Sequence, residues 1–215
     1  MKAVVIYFFA NLNEKSIQLV SYTTTFILAL LYSEMKRLTR TLKMNRLEQL
    51  LSQYAAYHLD HKNVFTHFIG IPMIVFSIMC LTARAGVMLS GFEITLALIL
   101  LVLSVIYYLS LDKTFGFLML LIYAVAYPFA YKIAQLGMGT WLSISIGTFV
   151  VGWVFQFVGH FYEKKKPAFV DDLVGLAIGP LFVLAEFVFL LGFRKDLQEK
   201  MLAEARKQRT AMDEK

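Results

Sequence analysis

Between residues 64 and 193, long apolar runs alternate with short polar stretches. Four runs, roughly 64–83, 92–110, 114–134 and 139–159, approach the about 20 apolar residues that let a helix cross a hydrocarbon layer. A fifth, about 173–193, is long enough but is interrupted at Gly179-Pro180. Ahead of the first run, Leu47, Leu50, Leu51 and Tyr54 recur at helical spacing and predict a surface helix within 46–58. After the last, Leu197, Met201 and Ala205 fall on one face of an otherwise charged stretch from Arg194 to Lys215, which predicts an amphipathic helix.

The pattern predicts an all-α fold, a polytopic membrane helical bundle with about four spans plus a re-entrant helical hairpin. Residues 44–200 form the membrane-embedded domain and 201–215 a charged cytoplasmic tail. Residues 17–32 are apolar but short and rich in Ser and Thr. Segment 1–43 therefore reads either as a signal anchor, with Lys36, Arg37, Arg40 and Lys43 holding its end in the cytoplasm, or as an extension upstream of Met44.

The fifth run sets length against charge. A full crossing would put Arg194, Lys195, Lys200, Arg206, Lys207 and Arg209 outside, whereas a fold-back at Gly179-Pro180 keeps them inside. Proline removes a backbone donor, and broken helices are tolerated where protein buries them. The hairpin is the expectation adopted.

Composition agrees with the pattern. The chain is 59% hydrophobic and 17% charged over 215 residues, against about 45–50% and about 25% in soluble domains. The net charge of +6 would suit nucleic acid, but the basic residues gather at the ends of apolar runs, so nucleic acid is excluded as a partner and the lipid bilayer is expected. The single cysteine, Cys80, lies inside an apolar run and excludes an intramolecular disulfide framework.

All four histidines fall in two polar stretches beside these runs. His58, His61 and His67 precede or open the first span, and His160 closes the fourth. Four crossings return the chain to its starting side, so both stretches share one face. Lys62, Lys113 and Lys164-Lys165-Lys166 lie on that face, which should be cytoplasmic. A lone histidine at a membrane interface ordinarily only bonds headgroups, but four of four on one face points to a metal site.

His58 and His61 are three apart and share a helix face, whereas His67, nine from His58, lies on the opposite side of a continuous helix. A break near Asp60–Asn63, with Asn63 capping the first span, would turn them inward together. His160 and Glu163 are again three apart, and Asp171 and Asp172 follow. Histidine and carboxylate ligands without a thiolate cluster suit non-haem iron, although zinc and manganese use similar sets. The candidate metal ligands are His58, His61, His67 and His160. Glu186, inside the fifth run, either meets a partner in the hairpin or marks a polar path to the site.

These two stretches resemble the iron-dependent 2-hydroxy fatty acid dioxygenases, a small multi-span family. Its first motif corresponds to Tyr54, His58, Asn63, His67 and Pro72, and its second to Phe155-Gln156-Phe157-Val158-Gly159-His160, then Glu163-Lys164 and Pro167-Ala168. The resemblance covers about 44–200. It implies that Fe(2+) binds a 2-hydroxy fatty acid and dioxygen and that the acid is shortened by one carbon, as in fatty-acid α-oxidation. His58, His67 and His160 match motif histidines. His61 occupies a position that is not always histidine, as a fourth ligand, a supporting group or a neutral residue. Glu163, as ligand or as orienter of a histidine N–H, and Asn63 complete the candidate site.

An acyl chain can lie among the spans while its carboxylate reaches the metal, with Lys62 or a lysine of 164–166 attracting it. The setting expected is the inner membrane of a bacterium or the endoplasmic reticulum of a eukaryote. Two rivals remain. A small transporter or metal carrier would explain the spans but not the clustered histidines. A hydroxylase or desaturase would ordinarily carry more histidines than four.

Overall fold

The computed structural model describes residues 44–165 and 174–214, together with Tyr22, Thr25, Leu28 and Ala29. The chain divides into two compact units, 1–44 and 45–215. The four described positions before residue 44 are helical; the anchor or extension expected over 1–43 otherwise lies outside the described residues, as do Lys166, Pro167, Ala168, Asp171 and Asp172.

The described residues of the second unit are mostly helical. Its elements run α1 (Arg46–Ala55), α2 (His61–Thr82), β1 (Gly86–Leu89), β2 (Phe92–Thr95), α3 (Leu96–Leu111), α4 (Lys113–Ala134), α5 (Met138–Glu163), α6 (Val174–Leu190) and α7 (Lys195–Asp213). Among the described residues, α2, α4 and α5 are long and apolar enough to cross a membrane. α3 is shorter than the 92–110 run suggested. Its first four apolar-run residues pair instead as β2 with β1 across a two-residue Ser90-Gly91 turn, both with positive φ, which matches the twist of a tight hairpin. Thr95 then caps α3 by accepting from the Leu98 N–H. The 16 residues of α3 still cover about 24 Å and carry the chain back toward the starting end. There Asp112 caps α4, accepting from the Thr114 and Phe115 N–H groups.

α2 and α5 make the most extensive helix contact in the unit. Small residues allow it. A Cβ on Gly152 would come within 2.9 Å of the Gly70 carbonyl oxygen, and one on Gly70 within 2.7 Å of that of Gly152. Close backbone approach at small residues is how apolar helices gain contact area where no hydrophobic driving force separates helix from lipid.

The fold-back expected at Gly179-Pro180 is absent, because Val174–Leu190 is one continuous helix. Pro180 is the seventh residue of α6 and removes a single backbone donor, which the helix accommodates without turning. The chain nevertheless returns to the histidine end. Arg194, just after α6, pairs with Asp112 at 2.8 Å, and Arg209 of α7 pairs with Glu163 at the end of α5. The amphipathic α7 forms as expected, with Leu197, Met201 and Ala205 buried against α1. It is one helix from Lys195 to Asp213.

Candidate metal centre

The site is built where α1, α2, α5 and α6 meet. α1 starts at Asn45, whose side chain accepts from the Glu48 N–H while Glu48 reaches back to the Asn45 N–H, a reciprocal cap that fixes the helix entry. It ends at Ala55, five residues short of the Asp60 cap of α2. This break is the one the histidine spacing required. His58 lies in the link, and the opposed sides of a continuous helix no longer apply. The cap is Asp60, which accepts from the Lys62 N–H, and not Asn63 as the sequence suggested.

His58, His67 and His160 are buried, and one ligand nitrogen from each lies within 4.8 Å of the others. Their ring centroids stand 4.5, 5.0 and 5.2 Å apart. The Nδ1 of His58 lies 2.7 Å from the Tyr54 carbonyl oxygen and that of His67 2.9 Å from the Asn63 carbonyl oxygen. A carbonyl only accepts, so each Nδ1 carries the proton and donates it. Each neutral ring is then left with a bare Nε2, and the two Nε2 atoms face one another at 3.1 Å. Two lone pairs at that distance repel unless a cation lies between them. Burial first, and His67 second, hold His58 far below its ordinary pKa, so the ring is neutral, the form that binds metals. His160 adds a third buried imidazole whose Nδ1 has no hydrogen-bond partner. The donor set fits a divalent transition metal.

His61 does not join them. It is the first residue of α2 and is exposed, whereas the cluster is buried. Glu163 is brought close but is engaged elsewhere. One carboxylate oxygen accepts from the Asp60 N–H at 2.8 Å and the Asn63 amide at 3.1 Å; the other accepts from Arg209 at 2.8 Å. It touches no histidine N–H in this arrangement. It holds Asn63, whose carbonyl holds His67, so Glu163 and Asn63 support the cluster from outside. Lys62 lies over the Tyr162 ring, and Lys165 pairs with Asp213. Glu186 is half-buried on α6 and outside the cluster.

Two contributors, Phe182 and Arg209, escaped the sequence reading, and Tyr54 stood in it only as a motif and helix-face residue. The Tyr54 ring stacks on His58 with centroids 4.1 Å apart and planes 5° from parallel. Phe182 of α6 closes over both rings, at 4.9 Å from Tyr54 and 5.7 Å from His58. Arg209 donates to Glu163 and to the Ala56 and Glu163 carbonyls. A signal for Arg209 existed, because Leu197, Met201 and Ala205 advance by four and the next step is Arg209, a charge on the buried stripe. Phe182 had none, since one aromatic among many apolar residues does not reveal its neighbours.

Membrane-length apolar helices with three buried histidines converging at one end define a helical membrane protein whose site can hold a metal ion. The chain belongs to the Mpo1-like family, described as 2-hydroxy-palmitic acid dioxygenase Mpo1-like, which it matches over residues 44–191. It is similar to the 2-hydroxy-palmitic acid dioxygenase MPO1 of Saccharomyces cerevisiae, 36% identical over 156 residues that cover 71% of this chain and 85% of that protein. No solved structure matches it.

Proposed function

We propose that this chain is a non-haem iron(II) dioxygenase that shortens 2-hydroxy fatty acids by one carbon, with its metal site at the cytoplasmic face of the membrane. The observation that carries the reading is the pair of bare Nε2 atoms 3.1 Å apart with a third buried histidine beside them. The similarity to a protein named as a 2-hydroxy-palmitic acid dioxygenase supplies the reaction class.

His58, His67 and His160 would hold the metal, and three histidines leave positions open for substrate and dioxygen. Iron(II), when bound there, supplies the redox chemistry that couples dioxygen to oxidation of the acid. The chain's own residues do the rest. The Tyr54 and Asn63 carbonyls keep the protons on Nδ1 and so fix which nitrogen faces the centre. Tyr54 and Phe182 wall the site with aromatic surface and exclude water from one side. Glu163 ties the starts and ends of α2, α5 and α7 together beneath it.

Metal analysis of detergent-purified protein tests this, followed by turnover of 2-hydroxypalmitic acid with iron(II), with a chelator and with iron restored. Bound iron and chelator-sensitive turnover are expected. Stoichiometric zinc with no iron-dependent turnover would overturn the reading.

A further inference from the structure

A cavity of about 270 Å³ opens directly beneath the histidines, between α2, α5 and α6. Its two ends differ. At one end His67, His160, Tyr54 and Gln156 line it; at the other, Ile74, Ile78 and Phe149 do. The antiparallel packing explains this gradient. On α2, His67, Ile71, Ile74 and Ile78 repeat along one face; on α5, Phe149, Trp153, Gln156 and His160 do the same in the opposite sense. The head of any occupant would therefore meet the histidines and its tail would run down α2.

Gln156 is the unexplained polar group in this wall. It lies one helical turn from His160, is 5% exposed, and its Nε2 has no hydrogen-bond partner. Buried amide donors are rarely left unpaired, because desolvation without a bond is costly. The amide nitrogen packs against Gly70 on α2, where a Cβ would collide with it, so a rotation about the terminal side-chain bonds is what turns the N–H to the cavity that Gln156 lines. A second, larger cavity of about 410 Å³ lies against α4, but its walls hold no histidine, amide or charge.

Resting on the dioxygenase reading, we propose that the smaller cavity is the acyl channel of this enzyme and that Gln156 donates a hydrogen bond to the carboxylate of the 2-hydroxy acid. The acid end sits against Gln156 beside His67 and His160, and the alkyl chain extends past Ile74 to Ile78 and Phe149. Length agrees with that occupant. The eleven residues from His67 to Ile78 advance about 16 Å along α2. An extended alkyl chain advances about 1.25 Å per methylene, so about a dozen methylenes fit that stretch. Head chemistry agrees as well: an amide N–H beside a histidine-bound metal offers a carboxylate one neutral donor and one positive centre, whereas the apolar end offers nothing to a polar group.

The test uses the full chain in phosphatidylcholine nanodiscs and a 2-hydroxypalmitic acid analogue with a diazirine at its terminal carbon. Light-induced adducts should map to Ile74, Ile78 or Phe149, with or without iron, and unlabelled 2-hydroxypalmitic acid should compete. Ile74→Phe should shift the adducts or abolish them for this chain length while an analogue about six carbons shorter still competes. Gln156→Leu and Gln156→Glu should each weaken competition by the 2-hydroxy acid about tenfold and leave competition by hexadecanol unchanged. Two variants are used so that poor accumulation of one does not decide the matter. Adducts at Met119, Ile122 or Tyr123 instead, or unaltered competition in both Gln156 variants, would overturn the proposal. Mapped adducts in a chain that does not shorten the acid would sink the dioxygenase reading alone; turnover with adducts elsewhere would sink the channel alone.

Discussion

His58 and His61 are three residues apart and end up in different environments. A uniform helix would place them on one face, but the chain leaves helix at Ala55 and re-enters it at His61. His58 falls in the link with its Nδ1 held by Tyr54, whereas His61 opens the new helix and faces outward. His58→Ala, His67→Ala and His160→Ala should each abolish turnover while the protein still accumulates in the membrane, because helix packing and not the cluster holds the bundle. His61→Ala should stay within about twofold of wild type, as exposed substitutions ordinarily do. Parallel turnover and membrane-fraction assays of the four variants check this ranking; full activity in His67→Ala or His160→Ala would mean that the two stretches do not build one site. The histidines were legible as a set because no other part of the chain contains one. Which of them converge was not, because that depends on where α1 stops, and neither Tyr57 nor Leu59 is a breaker.

Element boundaries were legible where hydrophobic length alone decides them, as in α2, α4 and α5. They failed where local turn chemistry intervened, at the Ser90-Gly91 hairpin that shortens α3, and where proline was read as a breaker although one lost donor is tolerable in α6. The ion pair that fastens the elements could not be read from either side singly. Glu163 is nearly inaccessible and Arg209 mostly buried, so removing one partner leaves the other desolvated. Arg209→Met should therefore lower stability by about 3 kcal/mol. Through the Glu163–Asn63–His67 link it should also weaken metal binding on the order of 10-fold. Glu163→Gln should do likewise, and the double variant should recover part of the stability loss, since no charge is then left alone. Thermal melting and iron titration of the four proteins measure this. Additive losses in the double variant, or a wild-type melt for Arg209→Met, would show that the pair does not fasten α7.

At the scale of the whole chain, the decisive question is where the charged C-terminal helix lies. Length alone argued that 173–193 crosses the membrane; charge argued that the tail returns. The observed contacts favour the return, though not by the turn expected. Arg194 reaches Asp112, which caps α4 at the same end where Glu163 closes α5, and Arg209 reaches Glu163 itself. Lys62, Lys113, Lys165, Lys200 and Lys207 thereby gather at the histidine end, while Arg84, stacked on Trp141, and Lys132 belong to the other. By the positive-inside rule such an excess of lysine and arginine is expected on the cytoplasmic side. Single cysteines at Lys62, Lys165 and Lys207, in a Cys80→Ala background, should accordingly all react with an impermeant maleimide only from the cytoplasmic side. One at Val87, exposed in the β-hairpin, should react only from the opposite side. Labelling of Lys62→Cys and Lys165→Cys from different sides would remove the shared face on which the metal centre depends. Labelling of Lys207→Cys from the far side alone would instead break the docking of α7 on α1 and leave the centre standing without its Arg209 clamp.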